Sequence, residues 1–202
     1  VTLTLVIDTA LAAQSLALLD GARVVAARHS VIGRGHAEAL MPALAALLDE
    51  GGATPARILV DVGPGSFTGL RIGIAAARAL GLAWGVPVVG YPSLALAAAP
   101  VFAAHPDTRL AVVAEAGRGL LYAQLLDRDL VAEAEPLVLD AVGVAAWLPG
   151  GLALAGPGAA RVPGARVLAD AWPDARDAAL LREAATLPPV PRYLSAPDAV
   201  AP

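Results

Sequence analysis

Gly63-Pro64-Gly65-Ser66-Phe67-Thr68-Gly69-Leu70-Arg71-Ile72-Gly73 is the stretch whose reading decides the fold. The apolar run Ile58 to Val62 before it reads as a buried strand, and Gly63-Pro64-Gly65 reads as a tight turn. Ser66 can cap the helix that follows, which runs to about Trp84. Such a strand–turn–helix presents backbone N–H groups and a helix N-terminus outward, which suits an anion or another backbone. It is not a Walker A loop, because no Lys-Ser/Thr follows, and its glycine spacing is not that of the dinucleotide fingerprint. A tight turn with a capped helix, and nothing more, accounts for the same residues.

Toward the N-terminus, Leu3 to Ile7 is a short β-rich run ending at Asp8, and Ser15 to Leu19 is a second. Asp20-Gly21 is a hairpin signal, and Arg23 to His29 follows as a third strand. Gly33 and Gly35 mark a loop. From His36 to Glu50 the period becomes helical, with Leu40, Met41, Leu44, Leu47 and Leu48 on one face. Pro42 either starts that helix or bends it, and Gly51-Gly52 ends it. Toward the C-terminus, Val86 to Val89 reads as a strand and Ser93 to Ala104 as a helix. The order βββαβαβα predicts a mixed sheet covered by helices. The second half starts again with a strand over Leu110 to Ala114, a turn at Gly117-Arg118-Gly119 and a returning strand over Leu120 to Leu126. A helix over Asp140 to Trp147, strands at Leu152 to Ala155 and Val167-Leu168, and a helix from Asp174 to Ala185 complete it. Two related lobes are predicted, residues 1–104 and 105–202.

The chain has 202 residues, 57% of them hydrophobic, and about a quarter are alanine. With 16% charged residues this is a chain that buries a core, not a disordered one. The net charge is −4, and all 14 basic residues are arginine. That balance argues against a protein that grips nucleic acid by itself. Absence of cysteine removes disulfides, zinc-thiolate sites and thiol nucleophiles. Residues 1–10 lack the basic start of a signal peptide, and a cytoplasmic protein is expected. Ala79 to Ala104 carries no charge and is long enough to cross a bilayer. Pro87, Pro92 and Pro100, with Gly81, Gly85 and Gly90, argue instead for helix end, strand, turn and second helix.

The block from Gly63 to Gly73, followed by a helix and then Pro87-Val88-Val89-Gly90, resembles the TsaB (YeaZ) family. Its motif residues here are Gly63, Pro64, Gly65, Ser66, Phe67, Thr68, Gly69 and Arg71. Ile7-Asp8-Thr9 with Ser15-Leu16-Ala17-Leu18 resembles the family's opening, and His36 to Pro42 its H-x-x-x-L-x-P segment. Arg118-Gly119 with Tyr122, and Pro191 to Leu194 in the tail, resemble two further motifs. The sequence departs from the pattern at Glu115-Ala116-Gly117-Arg118 and at Ser195, and its second lobe is short. The resemblance implies a two-lobed actin-like fold of the sugar kinase, Hsp70 and actin superfamily (ribonuclease-H-like). It implies a non-catalytic scaffold that forms a homodimer alone and a heterodimer with TsaD, which carries the metal and the transferase site. TsaE joins that complex, which makes threonylcarbamoyladenosine next to the tRNA anticodon.

The residues allow little chemistry of their own. His29, His36 and His105 form neither H-x-x-x-H nor H-E-x-x-H, so no metal site is expected, and no cofactor. That argues against the peptidase alternative, the glycoprotease-like M22 reading attached to the superfamily. An independent actin-like ATPase is the other alternative. Asp8 and Thr9 at the end of the first strand, facing Gly117 and Gly156 of the second lobe, would be its weak nucleotide site. For partner binding, Gly69, Gly73, Ala77 and Gly81 make a small-residue stripe along one helix. With His36, Leu40, Met41 and Leu44 of the preceding helix they are the expected interface; packing on the lobe's own sheet is the competing account of the same faces.

Overall fold

In the computed structural model, residues 2–194 are described, apart from Asp107 and Ala185. The first half is β1 (Leu3–Asp8), β2 (Ala13–Asp20), β3 (Arg23–Val31), α1 (His36–Gly51), β4 (Arg57–Asp61), α2 (Phe67–Trp84), β5 (Val88–Tyr91) and α3 (Ser93–Ala104). The second half is β6 (Leu110–Gly117), β7 (Leu120–Leu126), β8 (Leu137–Asp140), α4 (Ala141–Trp147), β9 (Ala153–Ala155) and β10 (Arg166–Ala169). Short 3-10 turns cover Ala159–Arg161, and a longer 3-10 helix covers Ala175–Ala184. The predicted βββαβαβα order is the observed one. The second half holds one strand more than predicted, β8, and its last helix is of the 3-10 type.

The two sheets repeat one topology. The first runs β3-β2-β1-β4-β5 and the second β8-β7-β6-β9-β10. In each, the first three strands are antiparallel neighbours and the last two lie parallel to the first. Two mixed sheets of the same order, each flanked by helices, make the actin-like architecture. β1 is buried on both faces, which is why it reads as a continuous apolar run.

α3 explains the long charge-free stretch. Nine of its residues are buried, among them Leu94, Leu96, Val101 and Phe102. It packs against β6, β7 and β9 as well as the C-terminal 3-10 helix, so it lies between the two sheets. Its apolarity thus serves an internal position; among the described residues no helix is long and apolar enough to cross a membrane. The 3-10 helix Ala175–Ala184 returns to the first sheet, packing on β1, β2 and β3. Beyond it, Leu187 exchanges two backbone hydrogen bonds with Gly90 of β5, and Arg192 N–H donates to Val62 O. The C-terminal segment therefore closes the edge of the first sheet. Ser195, the departure noted in the tail motif, lies outside the described residues.

The helix ends follow local chemistry. Ser66 caps α2 by accepting from Gly69 N–H at 3.0 Å, and Gly85 ends it in the left-handed region. Asp140 caps α4 through Gly143 N–H at 2.6 Å. Pro42 neither starts α1 nor precedes it: the helix begins six residues earlier, at His36, and Pro42 sits exposed within it.

Candidate functional site

Between the lobes lies a cleft of about 960 Å³. The β3–α1 loop (Gly33, Arg34, Gly35) and His36 line one wall, and Gly65 to Gly69 line the floor. Gly117, Arg118 and Tyr122 close it from the second lobe, and Tyr193 and Leu194 from the tail. Tyr122 donates its hydroxyl to Gly65 O at 3.2 Å, tying the second lobe to the glycine-rich turn.

The turn is seated by the loop after β1. Ser66 N–H donates to Ala10 O at 2.7 Å, and Thr9 Oγ1 donates to Gly69 O at 2.7 Å. The approach requires glycine. A Cβ at Gly65 would meet Ala10 O at 2.5 Å, and one at Gly69 would meet Thr9 O at 2.0 Å. Gly63 needs its left-handed backbone and the space as well, since a Cβ there would meet Arg192 O at 2.8 Å.

This geometry corrects the expected nucleotide site. Asp8 and Thr9 are 2% exposed and lie beneath the turn, not on the cleft. The Thr9 hydroxyl is spent on Gly69 O. Gly156 is buried against β6, where a Cβ would meet Val113 O at 2.2 Å. Of the four predicted residues only Gly117 faces the cleft. The nearby turn Gly156-Pro157-Gly158 is satisfied from within: Asp170 accepts Gly158 N–H at 2.9 Å and Ala160 N–H at 3.4 Å.

The expected interface is corrected in a similar way. Leu40 and Leu44 are 1% exposed and point into the first lobe. Gly69, Gly73 and Ala77 are buried on the face of α2 that meets β1. The missing Cβ at Gly69 and Gly73 serves the close approach to Thr9 and Ile7 of the same chain. His36 is 6% exposed; its Nε2–H donates to Leu11 O at 2.9 Å, and burial lowers its pKa, so the ring is a neutral tie at the start of α1. Met41 is the exception, 55% exposed on the outer face of α1. On α2, Leu82 is 87% exposed near the C-terminal end of the helix.

Arg71 binds the tail. Its guanidinium lies 3.7 Å from the Phe67 ring centroid, and its Nε–H donates to Tyr193 Oη at 3.1 Å. Phe67 and Tyr193 are 4.8 Å apart between centroids. Arg192 reaches Glu135 of the second lobe at 3.1 Å. The tail is thus a strap across the turn, joined to both lobes.

Two groups escaped the sequence reading. Asp61 ends β4 beside Asp8 and is equally buried, 2% exposed. The signal was there: a carboxylate inside the run Ile58-Leu59-Val60-Asp61-Val62, in a strand buried on both faces, is rare without a partner. Ser15, His29 and Asp174 also meet, across a separation no local pattern reveals. His29 Nδ1 is 3.1 Å from Ser15 Oγ and 3.6 Å from Asp174. One ring nitrogen serves both, so the imidazole does not relay between hydroxyl and carboxylate as a hydrolase triad requires. Ser15 is fully buried and accepts Ala175 N–H at 2.8 Å. Burial raises Asp174, but hydrogen bonds and charge from Arg176, with the charge of His29, outweigh it and hold the carboxyl below its ordinary range. The trio latches the 3-10 helix onto β2 and β3. Among the described residues, no three His, Asp or Glu side chains form a group that could hold a metal ion.

Comparison with known proteins fits this geometry. The profile of the family described as TsaD, tRNA N6-adenosine threonylcarbamoyltransferase, matches residues 24–160. A solved structure, YeaZ from Pseudomonas aeruginosa, superposes with a TM-score of 0.79 at 28% identity, covering 96% of this chain and 100% of that one. The chain belongs to the TsaB (YeaZ) family. The TsaB protein of Bacillus subtilis is 33% identical over 124 residues, 60% of this chain and 53% of that protein. The TsaB protein of Escherichia coli is 33% identical over 132 residues, 62% and 55% of the two chains. The chain thus spans about half the length of these curated TsaB relatives. Both are described as tRNA threonylcarbamoyladenosine biosynthesis proteins. The glycine-rich turn that carried the family resemblance is, in this structure, the piece that seals Asp8 and Thr9 beneath it.

Proposed function

We propose that this chain acts in threonylcarbamoyladenosine modification of tRNA as a non-catalytic subunit that docks onto a TsaD homologue. The observation that carries the reading is the sealed end of β1. In an actin-like ATPase the acidic residue there faces the metal–phosphate unit across the cleft; here the turn after β4 and the start of α2 cover it. The descriptions of the TsaB relatives supply the pathway. TsaE joins through TsaD, tRNA is held by the partner, and the protein works in the cytoplasm without a cofactor of its own. The lobes divide at residue 104.

The docking face is the outer side of the neighbouring helices α1 and α2. Met41 and Leu82 are its apolar projections, with Ala75 and Ala79 also exposed on α2. An exposed apolar face of this kind marks a partner site. Alone, it pairs with itself about a two-fold axis; with TsaD present the same face is shared, so the two assemblies compete. Activation is conformational, through tighter binding to the competent transferase than to its other states.

The test is light scattering behind size exclusion, on the protein alone and mixed with its TsaD homologue. Burying one leucine contributes about 1.5–3 kcal/mol. Leu82→Glu forfeits that and buries a charge, so both assemblies should weaken by at least about tenfold while the unfolding midpoint stays put. A monomer that ignores TsaD would overturn the reading.

A further inference from the structure

The carboxyl ends of β1, β4 and β5 carry a polar row inside an apolar core. Ile7 pairs with Val60 and Asp61 with Tyr91, so Asp8, Asp61 and Tyr91 lie side by side. All three are buried, the two carboxyls at 2% exposure. Asp61 Oδ1 is fully used: it accepts Gly63 N–H at 2.7 Å and the Ser93 hydroxyl at 2.6 Å. Its Oδ2 is buried with no donor. Asp8 Oδ1 accepts Ala10 N–H at 3.2 Å, and its Oδ2 lies 3.5 Å from the Tyr91 hydroxyl.

Among the described residues, the titratable groups that act on the two carboxyls are each other and Tyr91, and no cation is among them. The 3-10 helix packed on β1 brings Asp174, Arg176 and Asp177, whose fields fall on one another and on His29. Two adjacent carboxylates in a dry site without a cation cannot both stay ionised; one keeps a proton. An orphan acceptor beside a second carboxyl is what that proton explains.

We infer that Asp8 and Asp61 hold one shared proton at neutral pH, Asp8 being the carboxylic acid that donates to Asp61 Oδ2, and that this proton seats the glycine-rich turn on the end of β1. The connection is direct. Asp61 fixes Gly63 N–H, Asp8 fixes Ala10 N–H, and Ala10 O takes Ser66 N–H. Losing the proton would set two negative charges against each other at the root of the turn that floors the cleft. Burial raises both groups, Asp61 to about 6 and Asp8 well above the ordinary carboxylate range, and the hydrogen bond between them raises Asp8 while lowering Asp61.

The sign follows from the raised values. The folded state holds these protons more tightly than the unfolded chain, so stability falls as pH rises above the ordinary carboxylate range. Asp61 gives up its proton through about pH 6, and Asp8 gives up the shared one at higher pH. While the folded state still holds that last proton and the unfolded chain has lost its own, the folding constant drops up to tenfold per pH unit; the fall levels off once the folded state gives the proton up.

The experiment is a carbon-13 titration of the aspartate carboxyls in the whole chain, with urea unfolding at each pH. One carboxyl should remain protonated at pH 7.5, and its signal should vanish in Asp8→Asn. That variant carries a permanent amide donor in place of the acid and should lose the fall in stability above pH 6. Asp61→Asn should flatten the same limb, because its amide can donate to an ionised Asp8. Finding every aspartate ionised at pH 7.5 in the unmodified protein would overturn the inference, whether or not either variant folds. It would also fall if millimolar magnesium or calcium displaced the proton and raised the unfolding midpoint, since the pair would then be a cation site.

Discussion

Replacing Gly73 by alanine tests which way α2 faces. The new Cβ would lie 2.4 Å from Thr9 Oγ1, 3.6 Å from Ile7 Cγ2 and 3.7 Å from Thr9 Cβ. Only the first is a clash, and the Thr9 hydroxyl cannot turn away without leaving Gly69 O, its acceptor at 2.7 Å. Alanine improves helix propensity by about 1 kcal/mol. Overpacking costs about 1–3 kcal/mol, and the displaced hydrogen bond costs about 1 kcal/mol more. The net loss is about 1–3 kcal/mol. Thr9→Ala removes the obstructing oxygen and by itself costs about 1 kcal/mol, the net worth of the hydrogen bond to Gly69 O, which keeps its place in the helix ladder. In that background Gly73→Ala meets only ordinary contacts and should stabilise by up to about 1 kcal/mol. The cycle therefore predicts a coupling of about 1–4 kcal/mol. Urea unfolding measures it, with Trp84 at the end of α2 as a fluorescent reporter and the midpoint shifting at constant slope. If Gly73→Ala stabilises the unmodified protein, or if the two changes add, the small-residue face does not rest on β1. The stripe would then have to be read as facing a partner.

Two other consequences concern the C-terminal segment. Ser15→Ala leaves the Ala175 N–H without its acceptor and should cost about 1–3 kcal/mol, with hydrogen exchange accelerating over Ala175–Leu181 before the strands of the first sheet. Unchanged protection there would show that the latch is not what holds the 3-10 helix. Tyr193→Ala removes the ring that meets Phe67 and Arg71; proteolysis between Thr186 and Leu194 should quicken several-fold while the unfolding midpoint moves little. A global loss of stability would mean that the strap belongs to the core.

The first lobe was legible because its signals are local. Asp20-Gly21, Gly51-Gly52 and Ser66 each fix an element end by backbone chemistry, and the structure places β2, α1 and α2 accordingly. β8 was missed because Leu137 to Asp140 is a short edge strand, half-buried at most, without alternation strong enough to stand out. The last helix is legible as a helix, but a reading of the sequence does not distinguish a 3-10 from an α-helical path. For the site, the motif residues were found but their direction was not. Leu40 and Leu44 share a helix with Met41, and sequence spacing gives the faces without saying which one the sheet takes. That depends on Thr9 and Ile7, sixty residues away from the stripe they receive. The pairing of Asp8 with Asp61 depends on β1 and β4 lying parallel in register, a property of the assembled sheet.

The strand-end turns of the two lobes, where this fold offers backbone donors to an anion, are largely occupied by the chain itself. Gly63 N–H is taken by Asp61, Ala10 N–H by Asp8, Ser66 N–H by Ala10 O, and Gly69 N–H by Ser66. In the second lobe Asp170 takes Gly158 and Ala160. A phosphate group that used these donors would first have to break bonds whose buried partners lose about 1–3 kcal/mol each when left unpaired, and it would bring negative charge toward Asp8, Asp61 and Asp170. A protein seated on the outer face of α1 and α2 pays no such cost. It displaces water from Met41 and Leu82, which are 55% and 87% exposed, and every methylene it covers adds to affinity at about 0.8 kcal/mol. The same packing that spends the turn's donors internally leaves the apolar helix face unspent, and that difference favours a subunit over a nucleotide as the ligand of this fold.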